Sequence, residues 1–469
     1  MNLKTYILLP FCLIILINCQ GPNLESFKQK TTNFFEPVRK ISEVKMGSIF
    51  EASAISKQDQ KEKSIDQLVG FDKQDRGVNV GMVTATKRAL AEDPIIISAK
   101  ENLNVKRSAI GISNAQKDFL VSGSIYAGIE DISDQKSGVA MVLSAKRLLF
   151  DGGKLDAQIE SDRHALEASR FAMEGLLNKR AGELLSLWVD LERYEKLNTE
   201  IESRLRILDP LIRQLEKVAE VGVGEISQVT AAQRTVSSIR VTQTDISERL
   251  EQARINFLIA FGALPSEAKF ELNFLNDPLK TNFSEDIALE APALMAEYMT
   301  YLSLEASLAS LELKDKVNVG LESRFTRPFG GSGYDSDESI GLVLSKTIYQ
   351  GDILASEIQQ AEARVRAQVA KMQAVHRDGE LLVRNSMQTV AAMDMAIALA
   401  KSNAEITASE IQYLRKQLVI GGSTLETVLS AEARLYDAEA KAINFQAQRV
   451  KAQLTVLASI GYLTGMLGL

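Results

Sequence analysis

The stretch Ser339-Ile340-Gly341-Leu342-Val343-Leu344-Ser345-Lys346-Thr347-Ile348-Tyr349-Gln350-Gly351-Asp352 decides the fold. Ile340, Leu342 and Leu344 alternate with Val343, Ser345 and Thr347, the period-two pattern of a strand with two unlike faces. The run ends at an aromatic-x-glycine break, and residues 352–419 then read as one helix with no proline in it. The same order occurs 199 residues upstream, where 138–150 reads as a strand, Phe150-Asp151-Gly152 as the break and 153–220 as the helix. Further breaks keep that shift. Val221-Gly222 matches Ile420-Gly421, and Ala260-Phe261-Gly262 matches Ser459-Ile460-Gly461. Each copy has 70 residues between its first and second glycines and 40 between the second and third. The chain therefore reads as a tandem duplication, in which Asp93-Pro94 and Ala291-Pro292 mark the upstream starts with a slip of one residue.

Working outward, a short helix is expected to begin at each proline, which favours the first helical turn, over 94–116 and 292–314. Two strand-like runs follow in each copy, 119–129 with 138–150 and 317–327 with 339–349, long enough for tilted membrane-spanning strands of about 9–11 residues. In the first long helix, apolar residues step by threes and fours through Leu177, Ala181, Leu184, Trp188 and Leu191, then through Ile201, Leu205, Leu208, Ile212 and Leu215. Sustained 3–4 spacing is a coiled-coil seam. Such a helix reaches about 100 Å at 1.5 Å per residue. Glycine turns follow, and a return helix ends at Gly262 or Gly461. The proline-started helix and the return helix, stacked end to end, nearly match the long helix, so each copy is expected to set one long helix beside two half-length ones.

The composition excludes several classes of function. The 469 residues carry 54 Lys+Arg against 61 Asp+Glu, a net charge of −7, where a nucleic-acid binder would show a basic face. Two cysteines and two distant histidines lack the clustered spacing of a structural zinc site, and two cysteines give no disulfide framework. His164 and His376 lie far apart on long helices and read as surface or groove residues. Gly330-Gly331-Ser332-Gly333 lacks the lysine and following helix of a phosphate loop and reads as an exposed loop, whose Asp335, Asp337 and Glu338 read as solvated, with weak binding of divalent ions as the other reading. No catalytic motif, cofactor site or metal site is expected. Nine prolines and 6% aromatics suit long helices.

At the N-terminus, Lys4 and the apolar run 6–17 read as a signal peptide, too short to span a bilayer as a helix. Leu16-Ile17-Asn18-Cys19 resembles a bacterial lipobox, with Asn18 in place of the usual small residue. This makes Cys19 the candidate lipidation site. Gln20 stands where aspartate would signal inner-membrane retention, so the outer membrane is implied. The alternative is an ordinary exported protein with an incidental cysteine. The expected organisation is a lipoprotein signal peptide at 1–18, a lipidated lead-in at 19–79, a first repeat at 80–263, a linker at 264–290 and a second repeat at 291–469.

The duplicated order helix, hairpin, long helix, turn, helix resembles the TolC family of outer-membrane factors. The aromatic-x-glycine junctions and the Val-Gly and Ile-Gly turns before Val229 and Val428-Leu429 carry the likeness. The resemblance implies a mainly α fold with a membrane β-barrel, built as a homotrimer with four strands per subunit. It also implies an α-barrel reaching into the periplasm, with Val221, Gly222, Val223, Gly224, Ile420, Gly421, Gly422 and Leu425 at a far tip that docks a periplasmic adaptor (membrane fusion) protein. The implied function is a passive exit duct of a tripartite efflux or type I secretion system, driven by an inner-membrane transporter of the RND, ABC or MFS type. Acidic residues that narrow the entrance in the prototype fall at Thr427 and Ser430, and its bridging tyrosine and arginine near Leu418 and Ser423, so neither set carries over. Glu225 and Glu426 are the candidate entrance charges, with helix N-terminal charges meeting the dipole as the other reading. Pro210 is expected to kink the first long helix and narrow the entrance. Rival readings are a periplasmic coiled-coil adaptor lipoprotein and a structural helical envelope protein.

Overall fold

A computed structural model describes residues 81–128, 138–221, 226–271, 291–330 and 335–469. The expected signal peptide and lead-in, with Cys19, the expected turn at 222–225 and most of the expected linker lie outside the described residues. The elements, in chain order, are α1 (Met82–Glu92), α2 (Pro94–Ala115), β1 (Leu120–Gly128), β2 (Gly138–Phe150), α3 (Lys154–Val221) and α4 (Ile226–Phe261). The second copy contributes α5 (Pro292–Glu312), β3 (Asn318–Phe329), β4 (Asp337–Ser345), α6 (Ile353–Val419), α7 (Leu425–Ser459) and α8 (Tyr462–Leu467). The duplicated order is thus present, and the long helices have 68 and 67 residues.

The sequence reads as helical from about residue 80, and α1 stands there ahead of the Pro94 start; Asp93 separates the two and caps α2 by accepting from the Ile95 N–H at 2.8 Å. Two features differ from expectation. The last strand begins at Asp337 and ends at Ser345, so 346–349 lie outside it, while β3 runs through Pro328 to Phe329. The short α8 after Gly461 was not foreseen.

The two hairpins form one antiparallel sheet in the order β1-β2-β3-β4. The join is β2 against β3, from Val139↔Phe329 to Phe150↔Val319, with a register shift between Leu148 and Phe150. Each copy thus completes the other's sheet, and β1 and β4 are its two edges.

The helices also exchange partners. α3 packs along its own copy's α2 and α4 and along α5 and α7 of the second copy, whereas α6 packs on α5 and α7. The end of α7 meets the start of α5, which is the end-to-end stacking expected from the helix lengths. Gly461 sits at that junction with φ +84°, and a Cβ there would lie 2.7 Å from the Pro292 ring. The described glycine landmarks of both copies, Gly152, Gly262, Gly351, Gly421 and Gly461, all take positive φ, so the sequence pauses are left-handed helix boundaries.

The main core lies midway along the helices. Met82, Leu185, Leu191, Phe257, Leu454 and Leu463 are fully buried there. Trp188 meets Phe257 and Phe261 edge-on at 4.8 and 5.8 Å between ring centroids. A second core toward the turns joins Leu197, Ile201, Leu208 and Ile212 of α3 to Ala232 and Val236 of α4 and to Leu429 and Tyr436 of α7. Most of the predicted seam is thereby buried as a coiled coil.

Candidate functional site

The sheet and the helix tips are the two regions that the sequence singled out. In the sheet, side-chain alternation and register sort the strands into two faces. One face carries Val121 and Ile125 of β1, Met141, Leu143 and Ala145 of β2, Leu321 and Phe325 of β3, and Ile340, Leu342 and Leu344 of β4. Of these, Val121, Ile125, Ile340, Leu342 and Leu344 are each about 70% exposed in the single chain. So large an apolar face is unsuited to water. The opposite face carries Ser122, Ser124 and Tyr126, Ser144 and Lys146, Glu322, Arg324 and Thr326, and Asp337 and Ser339.

The apolar face is bounded at both ends by aromatic and basic residues. Near the helices Arg147 stacks over Phe119 at 5.1 Å, and near the loops Arg327 stacks over Phe325 at 4.8 Å with Phe329 beyond it. Such girdles at two levels, with an apolar band between them, match a membrane's two interfaces. No helix among the described residues is long and apolar enough to cross a membrane.

At the tip, α6 ends in a glycine cap. Gly421 takes φ +77° and the Gly422 N–H donates to the Gln417 carbonyl at 2.9 Å, closing the six-residue cap loop. Only Gly421 of the pair is left-handed. Val419 and Ile420 project into solvent at 86% and 80% exposure. Leu425 is half-buried and packs toward the second core, so it offers less to a partner than expected. Thr424 caps α7 by accepting from the Thr427 N–H at 3.2 Å, and Glu426 in the first turn accepts from the Ser430 hydroxyl at 2.9 Å. Glu426 thus has the local partner and position of a helix N-terminal charge. Gly222, Val223, Gly224 and Glu225, and the side chain of Val221, lie outside the described residues. α3 continues without a break through Pro210, which is exposed between buried Leu208 and Ile212.

One cluster near the tip was missed by the sequence reading. Glu432 of α7 is 1% exposed and accepts from Arg204 Nη1 of α3 at 2.8 Å and from Arg415 Nη2 of α6 at 2.6 Å. Arg204 also donates to Glu439 at 2.7 Å. Burial opposes the Arg204 charge, but Glu439 and Glu432 outweigh it and hold the guanidinium above its ordinary pKa. Beside it, burial pushes the Tyr436 phenol up, with Asp437, Glu200 and Asp245 adding to the effect. The cluster ties three long helices from both copies by charge. Its sequence signal was an arginine inside the α3 seam and acids spaced seven apart on α7.

His164 is half-buried and 3.4 Å from Glu160, its neighbour one turn away, and His376 is half-buried on α6. Among the described residues no group of three or more His, Cys, Asp or Glu is placed to hold a metal ion.

Comparison with known proteins agrees with this geometry. The model of the family "Outer membrane efflux protein" matches residues 303–462. The chain is 25% identical over 190 residues to outer membrane protein TolC of Escherichia coli (strain K12). That match covers 39% of this chain and 37% of TolC, so it spans little more than a third of the relative's length. The fold is similar over far more of the chain. The outer membrane protein VceC of Vibrio cholerae superposes with a TM-score of 0.69 at 16% identity, covering 81% of this chain and 96% of VceC. The open state of the MtrE outer membrane channel of Neisseria gonorrhoeae gives 0.68 at 14%, covering 81% of this chain and 88% of MtrE. The duplicated helix–hairpin–helix order and the two-faced sheet above long coiled coils are thus shared with TolC-type outer-membrane efflux proteins, to which this chain is similar in fold over most of its length and in sequence over part of it.

Proposed function

We propose that the protein is the outer-membrane exit duct of a tripartite export system, a passive conduit from the periplasm to the exterior. The observation that carries this reading is the four-stranded sheet with one apolar and one polar face and two unpaired edges, set on helices about 100 Å long. Strand edges exposed to lipid leave backbone groups unsatisfied, so a sheet in a bilayer must close. Three copies close it as twelve strands, apolar face to lipid and polar face to the bore. The helices agree with a trimer. Val105 and Ile112 of α2, Val241 and Ile259 of α4, and Leu399, Ile406 and Tyr413 of α6 are 62–79% exposed in one chain and would be covered by neighbouring copies.

In this reading Cys19 carries the lipid anchor, and the exposed Val419 and Ile420 beside Gly421 meet a periplasmic adaptor. Glu426 and Glu225 stand near the entrance. Pro210 bends the tip of α3 inward. An inner-membrane transporter supplies the energy, and its class and the substrate depend on partners that this sequence does not contain.

The test is reconstitution. Purified full-length protein should migrate in outer-membrane fractions as a heat-modifiable trimer and form conducting pores in planar bilayers. A monomer released from membranes by salt, with no conductance, would overturn the proposal.

A further inference from the structure

The polar face of the sheet is divided by register into rows that run across all four strands. One row is Ser122, Ser144, Arg324 and Ser339. The Ser122 and Ser144 hydroxyls lie 2.8 Å apart within it. The next row toward the helices is Leu120, Lys146, Glu322 and Gly341, and there Lys146 and Glu322 neutralise each other at 3.0 Å. The next row toward the loops is Ser124, Val142, Thr326 and Asp337. Arg324 is exposed, has serines on both sides and makes no ion pair among the described residues.

We propose that Arg324 sets the charge preference of the bore and makes the membrane segment favour anionic solutes. The inference rests on the duct reading above and adds a substrate class to it. Guanidinium does not lose its proton in proteins, so the charge is fixed at every working pH. In a closed trimer three copies stand at one level of the barrel, among nine serines that cannot cancel them. Asp337 is the one opposing charge on this face without a partner in its own row. It is the first residue of β4, one row nearer the mouth. There bulk water and salt screen it more strongly, whereas low-dielectric walls around a mid-strand charge focus its field. The excess negative charge of the whole chain is not repeated on this face, where two bases stand against two acids and one base is left alone in its row.

The experiment is the reversal potential of the full-length protein in planar bilayers across a KCl gradient of roughly 0.03 to 0.1 M, where the Debye length is about 10 Å or more. Arg324→Ser should lower the chloride-to-potassium permeability ratio by about twofold or more, and Arg324→Glu should lower it further. Arg324→Lys should retain the wild-type ratio, and Asp337→Ser should raise it. Heat-resistant oligomer on a gel confirms that each variant is assembled. Conducting pores whose reversal potential is the same in the wild type, Arg324→Ser and Arg324→Glu would overturn this inference and leave the duct reading standing. A wild type that does not conduct would remove both.

Discussion

Replacing Glu432 with alanine tests whether the buried charge cluster holds the tip of the coiled coils together. The carboxylate is 1% exposed and satisfies two guanidinium groups, and their losses differ. Arg415 is 44% exposed at the side chain and can turn to water, so its share is small. Arg204 is 12% exposed and keeps Glu439, so it loses one charge-assisted hydrogen bond, about 1.5–3 kcal/mol, and part of its compensation for burial. Breaking a buried pair outright costs about 3–5 kcal/mol. The retained partner lowers that to about 2–4 kcal/mol here. The loss is local to the tip, so hydrogen exchange on the assembled protein is the suitable assay. Amides of α3 around 201–212 and of α7 around 428–440 should exchange about 30- to 1,000-fold faster, at 1.4 kcal/mol per tenfold. Amides around Leu185 and Leu454, in the middle core, should be unchanged. An apolar double variant, Arg204→Met with Glu432→Leu, should recover much of the protection, since well-packed apolar groups replace buried pairs at little cost. Exchange within threefold of wild type in Glu432→Ala, or a double variant as unprotected as the single, would refute the argument.

Other substitutions separate the remaining claims. Gly461→Ala forces a side chain into the Pro292 ring at a positive φ and should cost about 2–4 kcal/mol, read as a lower unfolding temperature. Gly421→Ala carries only the conformational cost, about 1 kcal/mol, because nothing lies within 4 Å of its Cβ. Ile340→Arg places a charge on the apolar face and should cost about 2–4 kcal/mol and deplete heat-resistant oligomer, whereas the adjacent Ser339→Arg should assemble normally. Pro210→Ala restores an N–H inside α3 and should raise single-channel conductance if the proline narrows the entrance; unchanged conductance would count against that role.

Much of the architecture was legible in local pattern because its causes are local. A left-handed residue terminates a helix wherever it occurs, so the glycine landmarks at Gly152, Gly351, Gly421 and Gly461 mark boundaries to within a residue or two. Alternation in 339–345 separates Ile340, Leu342 and Leu344 from Ser339 and Val343 before any partner strand is known. The charge cluster was not legible in the same way. Arg204 and Glu432 lie 228 residues apart, and each alone reads as one more charge on a long polar helix.

The sequence by itself determined the duplication, the order of the main elements, the length of the long helices, and which strand residues share a face. Those properties follow from backbone preferences and periodicity within a single run. Only the tertiary structure decided that β2 pairs with β3, that α3 is shared by both copies, and that Arg324 stands in a row of serines while Lys146 faces Glu322. Pairing and register depend on which distant surfaces meet when apolar area is buried. No periodicity within one segment records that choice.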